Sequence, residues 1–151
     1  MQLSTSTHLH KAERYTDTFF VVKPWYWVPS EEVRTRLGES QANWLVGIRR
    51  ITNATNERTM ISSVLPKYGS SDVLPICLLS QANASKASCL LANFNVMCFD
   101  YVARQKIGGI HMDLHYLKQL PCMAPTSYTF ADLEFITPRV LELVYTGWDI
   151  K

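Results

Sequence analysis

No apolar stretch of this chain approaches the ~20 residues that a helix needs to cross a bilayer. The richest run, Cys89 to Phe99, is interrupted by Asn93 and Asn95. The first seven residues, Met1 to Thr7, lack the cationic and apolar regions of an export signal, so a cytoplasmic location is expected. Glycine is scarce, at six residues, and its one adjacent pair, Gly108-Gly109, follows a helical pattern rather than a strand. A dinucleotide-binding loop therefore has no counterpart, and neither the phosphate loop nor the Gly-x-Ser-x-Gly nucleophile turn occurs. The seven prolines are never adjacent. The four cysteines, Cys77, Cys89, Cys98 and Cys122, include no pair with the two-residue gap of a zinc knuckle or a dithiol redox site. Each lies among apolar neighbours and is expected to pack as a buried free thiol. His111 and His115 have the i, i+4 spacing that puts two imidazoles on one helix face. They lack the glutamate of zinc-protease helices and follow a glycine pair, so no metal site is assigned. Carboxylates in the middle of the chain, Glu57, Asp72, Asp100 and Asp113, are scattered. Catalysis by this chain alone is not expected.

What is present is enough apolar material for a core: 47% of residues are apolar and 19% charged over 151 positions, which predicts a single domain, 1–151. The net charge of +2 is far from that of a protein that coats nucleic acid, so any electrostatic footprint must be local. Residues 44–119 hold it, with eight basic and four acidic groups.

Patterning along the chain predicts an α+β fold, with a mixed or largely antiparallel sheet backed by one long helix and a C-terminal helix. Phe19 to Val22 is an apolar β-prone run, the core of an N-terminal arm and edge strand over 1–24. Ser30, with Glu31 and Glu32 behind it, is placed as the N-cap of a short helix that Gly38 ends. Two β-prone runs, 44–51 and 58–65, flank a polar tip, 52–57, and pair as strands. A further strand, Val73 to Leu79, is pushed to the sheet edge by Pro75. From Ser85 the apolar residues recur at helical spacing through Val102, which predicts one amphipathic helix of about five turns stopped by Gly108. A one-turn helix over 114–120 and a final helix over 132–145, with Pro138 as a kink or restart, complete the pattern.

The polar tip carries the chemistry of interest. Arg49, Arg50 and Arg58 flank Thr52, Asn53, Thr55 and Asn56, which combines guanidiniums that grip phosphate with amides and hydroxyls that read base edges. The same residues also suit a solvated turn in which Asn and Thr cap their own backbone. Arg104 and Lys106, at the end of the long helix, complement its dipole and stand close in sequence to His111.

The blocks Trp44-Leu-Val-Gly-Ile-Arg-Arg-Ile-Thr-Asn-Ala-Thr-Asn-Glu-Arg-Thr-Met-Ile-Ser-Ser-Val-Leu-Pro66, Leu90-Leu-Ala-Asn-Phe-Asn95 and Phe99-Asp-Tyr-Val-Ala-Arg-Gln-Lys-Ile-Gly-Gly-Ile-His111 carry a family likeness. With Leu117-Lys-Gln-Leu-Pro121 and Arg139 to Asp149, in that order, the chain resembles the C-terminal target-recognition region of adenine-specific DNA methyltransferases of restriction-modification and phage-defence systems. The resemblance covers 25–151. It implies a module that reads double-stranded DNA behind a methylase domain, the latter binding S-adenosylmethionine and flipping out adenine. The family's Asn/Asp-Pro-Pro-Tyr/Phe motif has no match here, so no catalytic residue and no cofactor is carried over. The chain stops two residues after Trp148-Asp149, where the family continues, and is expected to be a fragment or module of a larger methylase. On this reading Arg49, Arg50, Asn53, Thr55, Asn56, Arg58, Arg104, Lys106 and His111 face DNA. Arg58 and Arg104 are the first choices for phosphate, and Asn53 and Asn56 for base edges. A different expectation is an interaction domain that docks onto a separate methylase or nuclease subunit, with Trp25, Tyr26 and Trp27 as its anchor.

Overall fold

The computed structural model describes residues 27–38, 43–79 and 83–144; the strand expected over Phe19 to Val22, and Trp25 and Tyr26, lie outside them. The fold is α+β. Helix α1, Ser30–Leu37, is followed by strands β1, Trp44–Ile48, β2, Ser62–Pro66, and β3, Ile76–Cys77. Helices α2, Ala84–Asn95, α3, Met97–Lys106, α4, Leu114–Leu117, and α5, Phe130–Val144, complete the order, with a 3-10 turn at Pro125–Ser127. The sheet is antiparallel, in the order β2-β1-β3, so β1 is central. That position explains why Val46 and Ile48 are almost completely buried. Pro75 lies just before β3, at the sheet edge as its missing N–H requires, and its carbonyl accepts from the Ile48 N–H at 3.0 Å.

Helix α1 begins one residue earlier than its sequence suggests. Pro29 occupies the cap, its carbonyl accepting from the Glu32 and Val33 N–H groups, and Ser30 is the first helical residue. Gly38 ends the helix at φ 59°, a conformation that glycine adopts without a Cβ penalty. Helix α5 starts at Phe130 rather than 132. Thr129 caps it through a reciprocal pair of bonds, Thr129 N–H to Asp132 Oδ2 at 2.8 Å and Asp132 N–H to Thr129 Oγ1 at 3.3 Å. It runs unbroken through Pro138 because that proline is on the exposed side, where the Glu134 carbonyl that loses its donor meets water.

The expected five-turn helix is two helices. In a continuous helix the Asn95 carbonyl would accept from the Phe99 N–H. Here it accepts from Arg58 Nη2 at 2.6 Å, and Val96 turns extended with ψ 149°. The Asn95 side chain faces the sheet: its Nδ2 donates to Ser62 O and Oγ, and its Oδ1 accepts from the Ser62 N–H at 3.2 Å. This contact fills part of the open edge of β2, which would otherwise offer unpaired backbone to another chain. Two apolar clusters lie side by side along one face of the sheet, the face to which both Val46 and Ile48 of β1 point. Ile48 and Met60 meet Phe99, Ala103 and Met112 in one. Val46 meets Leu91, Val140 and Val144 in the other, which is where α2 and α5 pack.

Of the four thiols expected to be buried only Cys89 is; Cys77 is half-buried, and Cys98 and Cys122 are exposed. Cys98 lies with the exposed Met97 in the first turn of α3, whose buried side carries Phe99 and Ala103.

Gly47, in the middle of β1, faces Leu65 so closely that an added Cβ would collide with its Cδ1 and lie 3.2 Å from its Cγ. Gly47→Ala is expected to lower unfolding stability by about 1–3 kcal/mol. In a double-mutant cycle by urea denaturation, Leu65→Ala should make Gly47→Ala cheaper; strict additivity would contradict the stated contact.

Candidate functional site

The segment between β1 and β2 is a long loop, residues 49–61, laid over α3 rather than a tip held away from the body. The sheet ladder continues for one step, Arg49 N–H to Ile61 O at 2.9 Å, and then stops because both chains change partner. On the outgoing side, residues 50–52 pair with 110–112: Thr52 N–H donates to Ile110 O, Met112 N–H to Arg50 O, and Ile51 bridges His111. On the returning side, the N–H groups of Thr59 and Met60 both point at Asp100 Oδ1, at 2.8 and 2.7 Å. The strands are consequently shorter than the β-prone runs, and the loop residues Thr52, Thr59 and Met60 are themselves buried.

Asp100 is the centre of this arrangement. It lies in the first turn of α3, where the helix dipole favours a negative charge, and is 5% exposed. Its Oδ2 accepts from Arg104 Nε at 2.8 Å, and Arg58 Nε lies 3.6 Å from Oδ1 without hydrogen-bond geometry. Burial by itself would push the carboxyl up. The Met60 N–H, the Arg104 guanidinium and the Thr59 N–H outweigh it and hold Asp100 below the usual carboxylate range. Arg104 also donates Nη1 to Ala54 O at 3.0 Å and Nη2 to Glu57 O, so one side chain fastens the loop at two further points. A third arginine closes the other end. Arg50 Nε donates to Asp113 Oδ1 and its Nη1 to Asp72 Oδ2, each at 2.8 Å, and this bond holds Asp113 below its ordinary range.

The residues expected to face DNA therefore divide. Arg58 and Arg104, the first choices for phosphate, are bonded within the protein, as is Arg50, though each side chain stays partly exposed; their donors hold carbonyls and carboxylates of the chain itself. The physical reason is local stoichiometry: the buried Asp100 carboxylate draws in Arg58 and Arg104, and the more exposed Asp72 and Asp113 draw in Arg50. Asn53 takes the self-capping course that its composition also allowed: Oδ1 accepts from the Thr55 N–H, the Thr55 hydroxyl and the Asn56 N–H. Asn56 Nδ2 donates to Thr52 Oγ1 at 3.2 Å. Arg49 and Lys106 remain exposed and His111 half-exposed; Arg49 Nε rests on Ile51 O at 2.9 Å. The backbone pairing of 50–52 with 110–112 brings Arg49 and His111 to one end of the molecule, although they are far apart in sequence. Sequence reasoning missed Asp100 and Asp113 as organising groups. The signal was present for Asp100, which precedes Arg104 by four residues on a helical pattern, the spacing of an ion pair along one helix face; Asp113 has no such neighbour in sequence.

Among the described residues no group of three or more His, Cys, Asp or Glu side chains gathers as metal ligands. His115 instead lies against the Tyr116 ring, centroids 3.9 Å apart. No helix among the described residues is long and apolar enough to cross a membrane. No family model matches the sequence, and no curated protein or solved structure matches it.

A depressed carboxyl contributes stability that is present above its unfolded value and lost as pH falls through its folded value. Denaturant melts of the chain between neutral pH and about pH 3 should show that loss beginning below about pH 4, where unfolded Asp titrates. Asp100→Asn is expected to be about 2–3 kcal/mol less stable at neutral pH, because two guanidiniums then lack their counter-charge. Its melts should also change less over the acid window. An unchanged acid profile in the variant would remove Asp100 from its assigned role.

Proposed function

We propose that this chain is a DNA target-recognition module of a restriction-modification type adenine-specific methyltransferase, without catalytic machinery of its own. The observation that carries the reading is the braced loop. Recognition of base edges needs donors and acceptors held to within about half an ångström by a second layer of contacts. The 49–61 loop has that layer in Asp100, Arg50, Arg58 and Arg104. The resemblance of the same blocks to the methylase recognition region supports it. In this reading Arg49, Lys106 and His111 contact the sugar-phosphate backbone and Asn53, Thr55 and Asn56 face the bases. Arg50, Arg58 and Arg104 serve as framework rather than as contacts. Methyl transfer and its S-adenosylmethionine belong to a methylase domain beyond this module.

Charge sets what such a module achieves by itself. Five cations of the site, Arg49, Arg50, Arg58, Arg104 and Lys106, stand with four carboxylates, Glu57, Asp72, Asp100 and Asp113. Counterion release is then small, and the isolated chain holds DNA weakly. Placement on the target falls to a methylase or restriction subunit.

A second reading, an interaction domain for such a subunit, draws on exposed apolar side chains. Trp27 is 81% exposed, and on α5 Phe130, Phe135 and Leu143 are each at least 60% exposed. The two readings are compatible, since a weakly binding reader needs a partner to position it.

Titration of the chain with duplex DNA at several salt concentrations tests the first reading. Two or three phosphate contacts give a log-log salt slope of about −2 to −3. Arg49→Ala and Lys106→Ala should each make that slope shallower by about one. Absence of binding at low ionic strength, or slopes indifferent to both substitutions, would overturn it.

A further inference from the structure

Beside the braced loop, α3 presents Met97 and Tyr101, 80% and 65% exposed. They are four residues apart and share one face of the helix. Arg104, three residues beyond Tyr101 and so its neighbour on that surface, bonds the Ala54 and Glu57 carbonyls; the loop tip is thereby tied to the helix surface that carries the phenol ring. Phe99 and Ala103, buried on the opposite side, keep the helix from rolling. The ring therefore stands exposed on a helix that is held in place and to which a polar loop is tied.

The chemistry of this surface differs from that of a phosphate grip. At the tip, Arg58 and Arg104 are balanced by Asp100 and Glu57, so an incoming phosphate meets little net attraction there. The loop contributes uncharged polar groups instead. Asn53 uses its carbonyl oxygen for the turn and leaves its amide hydrogens out of it, and Asn56 uses its Nδ2 and leaves its oxygen out of that bond. An aromatic face on the helix, with one amide donor and one amide acceptor on the loop tied to that helix, suits a flat, neutral ligand with a hydrogen-bonding edge. A nucleobase released from its stack fits that description, whereas a paired base hides one edge and both faces.

We infer that Tyr101, with Met97 beside it, is a stacking platform for an unpaired base, so that the module prefers DNA with a locally opened step to a fully paired duplex. This rests on the DNA-recognition reading above and narrows its ligand. The phenol supplies the stacking surface, Asn53 and Asn56 the edge contacts, and Arg49 and Lys106 the backbone contacts.

The test uses the full chain and two duplexes of the same sequence, one fully paired and one carrying a single unpaired 2-aminopurine. The bulged duplex is expected to bind about tenfold more tightly, with quenching of the 2-aminopurine fluorescence. Tyr101→Ala should abolish both preference and quenching, and Tyr101→Phe should keep them. Tyr101 is exposed, so circular dichroism of the alanine variant is expected to match that of the parent. Equal binding of both duplexes, or a preference that survives Tyr101→Ala, would overturn the platform and leave the recognition reading standing. No binding to either duplex would overturn both. Quenching lost only with Met97→Ala would transfer the role to the thioether and refute the assignment to Tyr101.

Discussion

The carboxylate of Asp100 is the point where three parts of the chain meet: the returning limb of the long loop through the Thr59 and Met60 amides, the body of α3 through Arg104, and the end of α2 through Arg58. A buried charge of this kind costs several kcal/mol in desolvation unless its lone pairs are filled. Here both oxygens accept, from two backbone amides and a guanidinium. Other features follow from it. β2 begins only at Ser62, after the Thr59 and Met60 amides have been given to the carboxylate. The helix breaks at Val96 because the arginine drawn to that carboxylate also takes the Asn95 carbonyl. The loop lies down because Arg104, held by Asp100, pins its tip.

Much of the architecture was legible in the residues. The β1–β2 pairing, the edge position of the segment after Pro75, the stop at Gly38 and the C-terminal helix all follow from local pattern and turn chemistry. What was not legible is non-local. Arg58 and Asn95 are 37 residues apart, and Arg50 reaches partners 22 and 63 positions away. Periodicity over Ser85 to Val102 is uninterrupted, since a helix break made by a distant guanidinium leaves no mark on the hydrophobic pattern. The thiols show the same limit: apolar neighbours in sequence did not bury Cys98 or Cys122.

The site illustrates why residue type alone is a poor guide to role. An arginine beside amides suits DNA and suits an internal brace equally well, and the choice is made by the nearest unpaired carboxylate. Asp72, Asp100 and Asp113 make that choice for Arg50, Arg58 and Arg104. Asn53 shows a division within one residue: its oxygen closes the turn and its amide hydrogens are left over. A framework of this kind gives rigidity without a strong field.

The central claim is that the Asp100 carboxylate holds the loop by its Thr59 and Met60 amides. Site-resolved amide hydrogen exchange, followed as protection factors across pH, addresses it directly. Thr59 and Met60 should be protected to nearly the level of the β1 core at neutral pH, and should lose protection together as acid protonates Asp100. Free exchange of these two amides at neutral pH, with β1 still protected, would contradict the account.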